Sequence, residues 1–126
     1  MRIEHIALWV RDLEKMKEFY SLYFKVEVSE KYFNPHKKFS SYFLSFKDGA
    51  RLELMNKPDL ESSIQPMSSG WAHIAMSVGS KEAVDSLTEK LRSEGYTIAG
   101  EPRTTGDGYY ESIILDPEGN QIEITV

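Results

Sequence analysis

A chain of 126 residues with 40% hydrophobic, 28% charged and 12% aromatic residues has the makeup of one soluble domain, long enough to bury its own core. Its net charge of −5, without any cluster of Lys and Arg, excludes the usual electrostatics of a nucleic-acid partner, and no apolar run approaches the ~20 residues that span a bilayer. Zero cysteines exclude disulfides, thiolate zinc sites and cysteine nucleophiles, so any metal must be held by nitrogen and oxygen. The start MRIEHIALWV lacks the uninterrupted apolar segment of a signal peptide, and a cytoplasmic protein is expected.

In chain order, EHIALWV alternates as a strand does. Asp12 then serves as N-cap for a helix carrying Leu13, Met16, Phe19, Tyr20, Tyr23 and Phe24 at helical spacing. KVEVSE, SYFLSF and RLELM follow as short strands, the last two joined by the turn KDG. A polar connector, NKPDLESSIQPMSSG, leads into a second copy of the same plan. There GWAHIAMSV is the strand, and Ser80 caps a helix with Ala83, Val84, Leu87 and Leu91 that stops at Gly95. YTIAG, YYESIIL and QIEITV are the closing strands, with DPEGN as the turn. Aligning the halves sets His73 over His5, Gly119 over Gly49 and Glu123 over Glu53. Each half reads strand, helix, strand, strand, strand, an α+β arrangement.

Side chains alternate across a strand, so the aliphatic residues define the face that meets the helices. Leu52 and Leu54 take that face in RLELM, and Ile122, Ile124 and Val126 in QIEITV, which turns Glu53 and Glu123 to the opposite side. His5, with Ala7 and Trp9, and His73, with Trp71, Ala75 and Ser77, are placed on that same opposite side. Twist makes such a face concave. Two imidazoles and two carboxylates form a proper donor set for one divalent ion (Ni, Zn, Co, Mn or Fe) with positions left for a reactant. Taken one at a time, a His or Glu on a polar strand face is more often simply solvated. The matched register of both pairs favours the metal site.

These segments, HIALWVRDLEKMKEFYSLYF, DGARLELM, GWAHIAMSV and ILDPEGNQIEI, resemble the vicinal oxygen chelate superfamily of glyoxalases, bleomycin-resistance proteins and extradiol dioxygenases over essentially the whole chain. The resemblance implies a single domain over 1–126. It would comprise two βαβββ modules, about 1–57 and 70–126 with a linker about 58–69, whose strands curve into an incompletely closed eight-stranded barrel-like sheet. The His, Glu, His, Glu set is similar to that of bacterial glyoxalase I and falls on His5, Glu53, His73 and Glu123 as metal ligands. It implies a lactoylglutathione lyase-like enzyme, with Glu123 as general base and Glu53 as its partner. The substrate would be the thiohemiacetal of a 2-oxoaldehyde, methylglyoxal with glutathione or another thiol. The same scaffold also hosts Fe- or Mn-dependent dioxygenases, thiol transferases and non-catalytic small-molecule binders. Where the family often shows Leu-Gly after the first helix, this chain has Tyr23 and Phe24.

Trp9, Arg51, Trp71 and Tyr110 are weaker substrate-contact candidates, with Tyr109 in the Gly-bearing loop beside Tyr110. His36, in a polar Pro-containing stretch, reads as a surface residue, and DPEGN as turn chemistry. Partners are expected to be a small molecule and a second copy in a homodimer, with neither nucleic acid nor membrane.

Overall fold

The computed structural model describes residues 2–61, 69–106 and 108–126, which form two compact units that part between residues 63 and 64. In the first unit β1 (His5–Trp9) leads into α1 (Leu13–Phe24), followed by β2 (Glu27–Val28), β3 (Tyr32–Asn34), β4 (Phe39–Ser45) and β5 (Arg51–Asn56). The second contains β6 (Ile74–Ser77), α2 (Lys81–Ser93), β7 (Ile98–Thr104), β8 (Tyr110–Leu115) and β9 (Gln121–Thr125). Each unit is one sheet backed by one helix, ordered β1-β5-β4-β2 with β3 also on β4, and β6-β9-β8-β7. In both, the first strand runs parallel to the last, and the remaining pairings are antiparallel.

The helices start where a side chain satisfies an orphan N–H. Asp12 accepts from the Lys15 amide at 3.0 Å, and Ser80 from that of Ala83 at 3.1 Å. Leu13, Met16, Phe19, Tyr20 and Tyr23 then form one buried stripe on α1, and Val84, Thr88 and Leu91 one on α2. Against these stripes lie Leu44, Leu52 and Leu54 in the first unit and Ile114, Ile122 and Ile124 in the second, all buried. Burial of each such side chain contributes about 1.5–3 kcal/mol. The aliphatic faces therefore point at the helices as the alternation predicts, except that Val126 stays exposed.

Three details depart from the expected elements. An additional strand, β3, makes five strands in the first sheet, because Asn34 closes a tight turn by accepting from the His36 and Lys37 amides and so folds Tyr32–Asn34 back on β4. His36 is exposed in that turn. In the second unit β6 begins only at Ile74, so Trp71 and His73 precede the paired strand. The edge strand β7 continues through Pro102 to Thr104 with two register shifts, which an edge position tolerates. The glycines of both predicted turns, Gly49 and Gly119, adopt positive φ, and Asp116 ties DPEGN together by accepting from the Glu118 and Asn120 amides. Residues 62–68 of the predicted linker lie outside the described residues. No described helix is long and apolar enough to cross a membrane.

Candidate metal centre

In the first unit, Glu53 sits between the buried Leu52 and Leu54 and faces away from α1. The parallel register sets Ala7 opposite Glu53, two residues beyond His5, so the three share a face. His5 Nε2 lies 3.9 Å from Glu53 Oε2, with the carboxylate side chain only 14% exposed and the imidazole 41%. The other ring nitrogen, Nδ1, meets Glu4 Oε2 at 2.5 Å. Glu4 in turn accepts from Arg51 Nε at 2.9 Å and from Arg51 Nη2. Hydrogen bonds from His5 and then Arg51 hold the Glu4 carboxyl below the usual carboxylate range.

The second unit repeats the pair. Glu123 lies between buried Ile122 and Ile124, and its register partner is Ala75, again two residues beyond the histidine. His73 Nε2 lies 3.1 Å from Glu123 Oε2, with side chains 38% and 18% exposed. Two donors bound cis at about 2.1 Å from one ion stand about 3.0–3.4 Å apart for octahedral to tetrahedral angles. The His73–Glu123 pair already has that spacing, whereas His5–Glu53 must close by roughly half an ångström. Each unit thus presents one imidazole and one carboxylate that fit a borderline divalent ion. Among the described residues, no group of three or more His, Asp or Glu side chains is gathered as a ligand set.

The weaker candidates divide. Trp9 shares the His5 face, meets the Phe39 ring edge-on at 6.0 Å and carries the Lys57 amine 5.0 Å above its ring. Arg51 is also on that face, but its guanidinium is engaged by Glu4 and rests 4.1 Å over Phe43. Trp71 is almost wholly exposed. Glu111 pairs with Thr125 and Ser112 with Ile124, which puts Tyr110 on the helix face. Its hydroxyl donates to Asp85 on α2 at 2.7 Å, which pushes its pKa up, and Lys81 lies 5.0 Å over its ring. It is thus turned away from Glu123. Tyr109 is exposed in the loop before β8. Sequence reasoning missed Glu4, whose only signal is a carboxylate next to a candidate ligand histidine.

Comparison with known proteins agrees with this architecture. The chain is 32% identical to the uncharacterized protein YqjT of Bacillus subtilis (strain 168), over 97% of this chain and 96% of that one. It is 27% identical to the lactoylglutathione lyase GLX1 of Arabidopsis thaliana, over 98% of this chain, and spans only 43% of that longer protein. Among solved structures, the trypanothione-dependent glyoxalase I of Leishmania major superposes with a TM-score of 0.80 at 25% identity, over 99% of this chain and 86% of that one. With residues 2–124 matching the family model as well, the chain belongs to the Glyoxalase/Bleomycin resistance protein/Dioxygenase superfamily.

Proposed function

We propose that this protein is a metal-dependent lyase of the glyoxalase I kind, converting the thiohemiacetal of a 2-oxoaldehyde to a 2-hydroxy thioester. Methylglyoxal joined to glutathione, or to another thiol, is the substrate class. One observation carries the reading. The same histidine–glutamate pair recurs in both units, at the same register and on the face turned from the helix.

His5, Glu53, His73 and Glu123 would hold one divalent ion. When bound, such an ion supplies Lewis-acid stabilisation of the oxygens that gain negative charge, worth several kcal/mol. Glu123 acts as the base, taking the proton from the carbon that bears sulfur and hydroxyl and returning it to the neighbouring carbon. The adduct loses no atom, so the reaction is an isomerisation. The limited exposure of Glu123 and Glu53 reduces the water that reaches the carboxylates, which favours proton return over exchange. A homodimer belongs to the same reading.

The test combines metal analysis of protein purified without chelator with an assay of thioester formation from methylglyoxal and glutathione. We expect a divalent ion near one per site, and a drop of about 10²–10⁴ in kcat for Glu123→Gln. Activity unchanged by that substitution would remove Glu123 as the base. Oxygen consumption without thioester formation, or ligand binding without any metal, would overturn the lyase reading.

A further inference from the structure

We infer that Glu4, clamped by Arg51, is a positioning residue that fixes the tautomer and orientation of His5. A carboxylate accepts and cannot donate, so the short contact from Glu4 Oε2 to Nδ1 places the imidazole proton on Nδ1. A neutral imidazole has one donor and one acceptor nitrogen, and Nε2 is left with its lone pair directed at the Glu53 side.

Glu4 is itself held by three hydrogen bonds from Arg51. Arg51 donates to its second oxygen through both Nε and Nη2, and the Arg51 backbone amide donates to the Glu4 carbonyl at 3.0 Å. The guanidinium lies on the Phe43 ring, and the same ring meets the His5 imidazole at a centroid distance of 5.4 Å and an interplanar angle of 86°. The imidazole is therefore fixed by a hydrogen bond at Nδ1 and a T-shaped contact with the Phe43 ring. Two residues that a surface reading would leave as a solvated ion pair instead form a chain ending on a candidate ligand.

The matching positions of the second unit do not repeat this pair. Ala72 precedes His73 where Glu4 precedes His5, and Gln121 stands where Arg51 does. His73 is thus an internal reference in the same molecule. The consequence for metal affinity rests on the ligand set proposed above, whereas the consequence for the tautomer does not.

The experiment reads histidine ring nitrogens in the metal-free protein by long-range proton–nitrogen NMR at about pH 8.5, about two units above the pKa of a free imidazole. In the parent, His5 should carry its proton on Nδ1. Glu4→Ala should convert it to the Nε2–H form that a free histidine side chain favours, with the His73 signals unmoved. Arg51→Gln should give a mixture, because Glu4 then swings free. Affinity for Zn and Ni, measured by competition with a chelator, should fall 10–100-fold in Glu4→Ala. Circular dichroism and one-dimensional spectra confirm that each variant is folded.

A parent His5 protonated on Nε2, or a tautomer unchanged in Glu4→Ala, overturns the inference. An affinity loss with an unchanged tautomer also overturns it, making Glu4 a direct ligand. A tautomer that shifts in a protein that never binds metal sinks the proposed ligand set and leaves the role of Glu4 supported.

Discussion

The same logic of one carboxylate serving several donors appears at Glu14, in the first turn of α1. Its oxygens accept from Lys17 Nζ at 2.8 Å, Lys31 Nζ at 2.9 Å and the Tyr42 hydroxyl at 3.1 Å, so a single side chain ties the helix to the approach of β3 and to β4. Hydrogen bonds from Lys17 and then Lys31 hold its pKa at about 2, against an ordinary 4.5. A carboxyl lowered on folding stabilises the native state above its unfolded pKa, and that stability disappears as the pH falls through the folded value. The side chain is 48% exposed, so solvent screening limits its worth to about 0.5–1 kcal/mol. Glu14→Gln is expected to lose that amount at neutral pH and to converge on the parent as the pH falls from about 4.5 through about 2, as measured by urea unfolding at low salt.

At the scale of elements, the two helices end differently although they begin alike. Gly95, past the end of α2, takes φ 88° and donates to the Arg92 carbonyl, while Tyr96 donates to that of Leu91. A Cβ at Gly95 would meet nothing within 4 Å, so its requirement is purely conformational. Gly95→Ala should therefore cost about 1 kcal/mol. Helix α1 has no such glycine, and Lys25 is forced to φ 51° at its C-cap. A non-glycine residue in that region costs roughly 1–2 kcal/mol, so Lys25→Gly should raise stability by about 0.5–1 kcal/mol once the added chain entropy is deducted. Chemical denaturation of the two variants gives opposite signs if the backbone explanation holds. Between α2 and β8, the buried Thr88 hydroxyl donates to the Val84 carbonyl and shares a second hydrogen bond with the Ser112 hydroxyl, both at 2.7 Å. Thr88→Val leaves the Ser112 hydroxyl buried without that partner and should cost about 1–3 kcal/mol, and Thr88→Val/Ser112→Ala less than the two single losses together.

For the whole molecule, a ligand that binds only the native state stabilises it in proportion to the logarithm of its saturation. If the four donors hold one ion, Zn or Ni at about 100 times its dissociation constant should add about 2.7 kcal/mol. For a chain of this length that is a rise in Tm on the order of 10 °C. Thermal melts with and without metal should show this in the parent and lose it in His5→Ala/His73→Ala, with a chelator reversing the parent shift. A parent melt indifferent to Zn, Ni, Co and Mn would count against the ion and not against the fold, since each unit has its own buried core.

Much of this was legible without coordinates, and for identifiable reasons. Asp12, Ser80 and Gly95 bound the helices through local hydrogen bonding and backbone freedom, which depend on a few neighbouring residues. Alternation around Leu52, Leu54, Ile122 and Ile124 turned Glu53 and Glu123 to the face away from the helices, because a strand has only two faces. The internal repeat carried the pairing of each histidine with its glutamate into a second copy of the plan. What depended on tertiary structure was long-range partner choice. Tyr110 goes to the helix side because β8 takes its register from β9. The Arg51–Glu4–His5 chain joins residues 47 positions apart across a parallel strand pair, and no local pattern encodes which of many carboxylates an arginine will meet. Spacing along a chain determines which side a residue faces, whereas its partner there is settled only when strands from distant segments align.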